Sequence, residues 1–395
     1  MPSKRVFESR LALKAFNSQY YSSICCRHTL ARRYSHQAAA EASTKSSSCR
    51  ARAFDLLFLG RNEFSCLVLE ELCKAPDVYR SITITTQPDE WIGRGRRTLS
   101  VSPLKTFGHA RNIPVVEIPH RKPDLKLWKP PPPFDAPIPL ADQVIITASF
   151  GRILPRSLLH RFPASRRLNV HPSLLPAYRG PAPIQHALLR GEKETGVCVI
   201  EMMERAKGID AGPVWGMARI PIDANDTFST LRDSSAREGG KLLVQVLRDM
   251  LVGRAQAVPQ VIVPEAEMPK APAITAEDAM IDFNSMSATG IVRRYRAIAH
   301  QRPLLAYLFN GKAVQLHSPS IYPDLPDRLL GLPPSHVVYD STSAALLIRC
   351  ADDSVLATPM VKQENKALMS ALEWWNGVKG LGLVRDGSIR FCPGL

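Results

Sequence analysis

One pattern limits what this chain can fold into more than any other. Between residues 54 and 202, short β-rich runs recur, each stopped by glycine, proline or a polar turn. Phe54–Gly60, Ser81–Thr86, Ile113–Ile118, Val144–Ala148, Arg167–His171 and Gly196–Met202 are such runs. Phe64, Leu67, Val68 and Leu72 follow the first at helical spacing, and a helix near 183–190 precedes the last. Runs that stay apolar rather than alternating belong to strands covered on both faces, and strand–helix alternation builds an open α/β sheet. The expectation is a Rossmann-like catalytic domain over 51–251 with a parallel-type sheet. A helix over 227–250 closes it, with Leu231, Leu243, Val246, Leu247 and Met250 on its apolar side. Residues 252–272, with Pro259, Pro264, Pro269 and Pro272, read as a linker. Beyond it, a helix at 291–299 and short strands at 313–317, 344–349 and 354–357 predict a smaller β-rich, OB-like, β-barrel-like C-terminal domain over 273–395. The segment 119–139, with four successive prolines at Pro130–Pro133, is expected to be an extended surface excursion, because proline cannot donate to a ladder.

Composition adds limits. The chain of 395 residues exceeds what one hydrophobic core usually holds, and 45% hydrophobic residues exclude wholesale disorder. No uninterrupted apolar stretch reaches the roughly 18–20 residues of a membrane-spanning helix, so no membrane association is expected. Eight cysteines without a CxxC pair fit neither a disulfide scaffold nor zinc, and no metal is expected. The net charge of +15 calls for a polyanion or a targeting segment. Residues 1–50 hold nine Lys/Arg against two acids, Glu8 and Glu41, and are rich in Ser and Ala. That is the composition of a mitochondrial transit peptide, with Arg32-Arg33-Tyr34-Ser35 resembling a processing site and the mitochondrial matrix as the destination. The charge left over still permits a nucleic-acid partner.

Chemistry concentrates in Leu168-Asn169-Val170-His171-Pro172. Side chains two apart in a strand share a face, so Asn169 and His171 project together and Pro172 ends the strand at its carboxyl edge, where open α/β sheets bind ligands. An amide and an imidazole side by side donate two hydrogen bonds to an oxygen gaining charge, and imidazole titrates near neutrality. Lys207-Gly208-Ile209-Asp210-Ala211-Gly212 follows downstream. Its glycines imply a tight path that presents the Asp210 carboxylate, which would orient the imidazole.

Asn169-x-His171, Ser173-Leu174-Leu175-Pro176-x-Tyr178-Arg179-Gly180 and Gly208-x-Asp210-x-Gly212 resemble the formyltransferases that use 10-formyltetrahydrofolate. The basic loop Gly93-Arg94-Gly95-Arg96-Arg97, Ile281-Asp282-Phe283 and Arg302-Pro303 narrow the resemblance to the methionyl-tRNA formyltransferases, over about residues 54–380. The resemblance implies Asn169, His171 and Asp210 as catalytic residues and formyl transfer to the amine of initiator methionyl-tRNA by a monomer. It places the folate cosubstrate against Ser149, Phe150, Gly151, Ile153, Leu154 and Pro155 and the signature Ser173, Leu174, Leu175 and Pro176. It assigns tRNA contacts to Arg94, Arg96 and Arg97, with Arg293, Arg294 and Arg296 extending a basic track. Trp91 is expected to be buried rather than to stack on a base. Two departures stand out: the turn after the first strand is Gly60-Arg61-Asn62 where a Gly-Thr-Pro-like turn is usual, and Phe150 stands where Tyr is frequent. The rival readings are a formyl-folate enzyme acting on a small amine or on water, and a catalytically dead RNA-binding homologue.

Overall fold

A computed structural model describes residues 53–392 apart from 94, 96, 265 and 266. The basic segment 1–50, with its candidate processing site, and Arg94 and Arg96 lie outside the described residues. The N-terminal lobe is a seven-stranded sheet. Its strands are β1 (Phe54–Gly60), β2 (Tyr79–Thr86), β5 (Val115–Glu117), β6 (Gln143–Ala148), β7 (Arg167–His171), β8 (Glu194–Glu201) and β9 (Val214–Pro221). They lie side by side in the order β5-β2-β1-β6-β7-β8-β9. Five of them, β5 through β7, are parallel, and all six residues of β6 are buried. The last two strands run antiparallel, so the sheet is mixed rather than wholly parallel. A short hairpin, β3 (Glu90–Ile92) with β4 (Thr98–Ser100), stands in the polar loop after β2.

Helix α1 (Glu63–Cys73) begins at Asn62, whose side chain accepts from the Ser65 amide, the usual device for an orphan helix donor. Helices α2 (Pro103–Ala110), α3 (Arg156–Leu159) and α4 (Pro183–Arg190) follow. The long helix α5 (Phe228–Leu251) is capped by Thr227 and buries Leu231, Leu243, Val246 and Leu247 against the sheet. Its small residues Ser235, Ala236, Gly239 and Gly240 let it approach closely: a Cβ on Gly239 would lie 2.7 Å from Val170.

Helix α6 (Ala288–Ile298) opens the C-terminal lobe, a nine-stranded antiparallel sheet with one further helix, α7 (Ala371–Gly380). One apolar core runs through both lobes: Ile184 and Leu188 of α4 belong to it together with Ile291 and Ile298 of α6. The described part of the linker 252–272 is tied down at several points. Val258 pairs with Val214 through two backbone bonds, and Pro269 and Ala271 bond the 178–182 loop.

Three expectations need correction. The Pro-rich segment is not a plain surface excursion. Leu125 and Phe134 within it are 4% and 1% exposed and pack on Leu57, Leu59, Ile145 and Phe162, covering a sheet face that no long helix reaches. Its prolines make the turns while the residues between them supply core. Trp91 is 58% exposed, on β3 of the hairpin. Finally, Arg293, Arg294 and Arg296 sit half-buried at the seam between the lobes rather than along an open basic track. Arg293 packs its guanidinium on Gly191, where an added Cβ would collide with it; Arg294 donates to the Asp278 carbonyl, and Arg296 to those of Ala224 and Asp226. Burial holds the Arg294 guanidinium below its ordinary value.

Candidate active site

The carboxyl ends of β1, β6 and β7 open into a cavity of about 1270 Å³ whose far wall carries Phe228 and Arg232 of α5 and His300 just past α6. β7 positions the central pair. Leu168 and Val170 are buried in the core, while Asn169 and His171 line the cavity. Thr147 is the register partner of Asn169 on β6 and donates to its Oδ1 at 2.8 Å, which turns the amide Nδ2 toward Asp210. Asn169 Nδ2 lies 3.4 Å from Asp210 Oδ1. His171 is 5% exposed, with Nε2 3.1 Å from the Tyr178 carbonyl and Nδ1 3.7 Å from Asp210 Oδ2. A carbonyl only accepts, so Nε2 carries hydrogen. The two contacts to Asp210 are longer than an optimal hydrogen bond, a spacing that leaves Asn169 Nδ2 and, on a protonated ring, His171 Nδ1 able to turn to a bound oxygen.

Asp210 reaches this point through a left-handed backbone, φ +54°, which Asp tolerates better than most residues. Its Oδ2 accepts the Gly180 amide at 3.1 Å. Gly180 itself has φ +122°, and a Cβ there would sit 2.5 Å from the Ala271 carbonyl oxygen, so only glycine fits. Gln260, from the linker, donates to the carbonyls of Asp210 and Gly212, each at 2.8 Å. Arg179 grips Gln260 Oε1 through Nε and Nη2 at 3.1 and 2.5 Å. The carboxylate is thus anchored from the signature loop and from the linker at once.

Of the other residues singled out in the sequence, Ser149, Phe150, Gly151, Ile153 and Leu154 line the cavity. Pro155 lies instead in a smaller adjoining recess of about 360 Å³ with Lys122 and Lys126. Ser173, Leu174, Leu175 and Pro176 do not line the cavity. Ser173 is fully buried and donates to the Ala177 carbonyl at 2.8 Å, and Leu175 packs on Cys198 and Ile200. Their part is to shape the turn that delivers Tyr178 and Gly180. Arg97 is exposed on the hairpin loop. Sequence reading missed Asn62, Thr147, Gln260 and the Phe228–His300 stack, whose rings lie 3.8 Å apart and nearly parallel. Only Asn62 carried a local signal, as a helix cap before Glu63.

An amide and an imidazole beside a carboxylate, at the rim of a large part-apolar cavity, can hold a developing oxyanion and move a proton. Residues 56–247 match the formyl transferase family, and residues 273–379 match the formyl transferase C-terminal domain. The chain belongs to the formyl transferase family. This formyltransferase is an enzyme 32% identical over 322 residues to the methionyl-tRNA formyltransferase of Lactiplantibacillus plantarum, covering 82% of this chain and 95% of that one. It is 37% identical over 263 residues to that of Acidithiobacillus ferrooxidans, covering 66% and 77%. Among solved structures, the sugar 3N-formyl transferase WlaRD, with dTDP and 5-N-formyl-THF, shares the fold at a TM-score of 0.52 and 18% identity, over 80% of this chain and 99% of that one. HypX of Aquifex aeolicus in complex with tetrahydrofolic acid aligns at a TM-score of 0.52 and 17% identity, over 82% of this chain and 47% of that one.

Proposed function

We propose that this formyltransferase moves the formyl group of 10-formyltetrahydrofolate to the α-amine of methionine esterified to initiator tRNA, in mitochondria. The convergence of Asn169, His171 and Asp210 on one cavity rim is the observation that carries the reading. The relatives' names and their cover of both lobes support the tRNA substrate, and the basic, acid-poor composition of residues 1–50 supports import.

The cavity suits the folate. Ser149 and Gly151, at φ +51° and +74°, line a space shared with Phe150, Leu154, Leu159 and Met202, which suits a planar ring with a polar edge. As the amine nitrogen bonds to the formyl carbon, Asn169 Nδ2 and a protonated His171 Nδ1 hold the formyl oxygen, which gains negative charge. Asp210, kept in place by the Gly180 amide and Gln260, takes the proton that the attacking nitrogen sheds and passes it to N10. The bond from N10 to the formyl carbon then breaks, leaving tetrahydrofolate and an N-formyl amide. On the tRNA side, Arg97 of the hairpin loop, with its sequence neighbours Arg94 and Arg96, meets backbone phosphates.

The test is incubation of the full chain with 10-formyltetrahydrofolate and charged initiator tRNA, followed by ester hydrolysis and detection of formyl-methionine. Glycinamide ribonucleotide and water alone serve as competing acceptors. Formylation confined to the aminoacyl-tRNA is expected; faster transfer to the small amine or to water would overturn the substrate assignment.

A further inference from the structure

The sheet order β5-β2-β1-β6 changes direction at β1, so the turns that leave β1 and β6 face each other across the switch point. The first is Gly60-Arg61-Asn62, the departure noted above; the second is Ser149-Phe150-Gly151, which lines the cavity. A buried side chain spans them. Arg61 Nη1 donates to Gln87 Oε1 at 2.9 Å, and Gln87 Nε2 donates to the Phe150 carbonyl at 2.5 Å. Gln87 is 7% exposed.

We infer that Gln87, oriented by Arg61, is the positioning residue that fixes the Ser149–Gly151 loop for the folate; this rests on the formyl-folate reading above. Phe150 stands between two left-handed residues, so its carbonyl has no place in a regular ladder and needs an outside donor. Gln87 supplies it, and the fit is close: a Cβ on Gly151 would lie 3.1 Å from Gln87 Nε2. A second strut runs alongside, from Asn62 Nδ2 to Ser149 Oγ at 2.8 Å. Arg61 is fixed in turn, since its own carbonyl accepts from Ser102 Oγ at 2.9 Å and from the Leu104 amide at 3.1 Å. Both feet of the β3–β4 hairpin, Gln87 and Ser102, therefore rest on Arg61.

The experiment measures binding of 10-formyl-5,8-dideazafolate, a stable analogue, to the full chain by titration calorimetry. It adds the KM for methionyl-tRNA and the melting temperature. Gln87→Glu keeps an acceptor for Arg61 but sets an oxygen against the Phe150 carbonyl. A roughly tenfold weaker Kd for the analogue is expected, with tRNA KM and melting temperature held within about twofold and 2 °C. Arg61→Met should weaken the analogue by a smaller factor, and Arg61→Lys, which still donates, should restore it. Wild-type affinity in Gln87→Glu, or losses that track the melting temperature and the tRNA KM equally, would overturn the role. Should Gln87→Glu not fold, equal affinity in Arg61→Met and Arg61→Lys would overturn it. A wild-type chain that ignores the analogue would instead remove the formyl-folate reading beneath it.

Discussion

In the proposed mechanism, Asn169→Ala removes one of the two donors to the formyl oxygen and little else. The Asn169 amide oxygen is committed to Thr147 Oγ1 at 2.8 Å, which leaves Nδ2 for the chemistry. Loss of one preorganised oxyanion donor costs about 10²–10³ in turnover, or about 2.7–4 kcal/mol of barrier. The fold should suffer far less. The Thr147 hydroxyl keeps a contact with Met202 Sδ at 3.1 Å, so the vanished side-chain bond is worth about 1 kcal/mol of stability. Thr147→Val leaves Nδ2 in place but unguided, and should slow transfer about tenfold. Because Thr147 acts through Asn169, the double variant should be no slower than Asn169→Ala alone. Single-turnover formation of formyl-methionine, with both substrates saturating, separates these losses from binding. A turnover for Asn169→Ala within threefold of wild type would refute the donor role. An additive double variant would detach Thr147 from Asn169 and refute its guiding role.

Gln260→Ala frees the carbonyls of Asp210 and Gly212 and leaves the Arg179 guanidinium without its acceptor, so turnover should fall about tenfold with faster amide exchange over 208–212; unchanged exchange there would show the linker does not anchor the carboxylate. His300 is held below its ordinary value of 6.5, first by burial and then by Arg232. The folded state thus favours the neutral ring: its contribution to stability is full above pH 6.5 and is lost as pH falls from 6.5 through the lower folded value. Melting temperatures between pH 7.5 and 5 should drop more for wild type than for His300→Gln, and parallel curves would refute the assignment.

The sequence announced what short-range physics controls. Leu168 and Val170 flanking Asn169 predict a strand whose polar residues face one way, and Pro172 predicts where it stops. The Gly-Asp-Gly spacing predicts a presented carboxylate, and the structure brings that carboxylate to Asn169 and His171. What stayed hidden depends on contacts between distant segments. Gln260 sits in a stretch read as linker, and its role follows from Arg179, 81 positions away. Phe134 lies among prolines and becomes core only because β1 and β6 leave a face open to it. Arginines 293, 294 and 296 look like a nucleic-acid track on a helix, yet the seam with α4 and the 224–226 turn absorbs them. The antiparallel β8, buried from Thr195 to Ile200, gives no periodicity that separates it from a parallel strand.

The most direct measurement is a crystal structure of the full chain with 10-formyl-5,8-dideazafolate. It should put the formyl oxygen within about 3.2 Å of both Asn169 Nδ2 and His171 Nδ1, with Asp210 beside N10. A formyl group lodged elsewhere in the cavity, or turned away from β7, would contradict the mechanism.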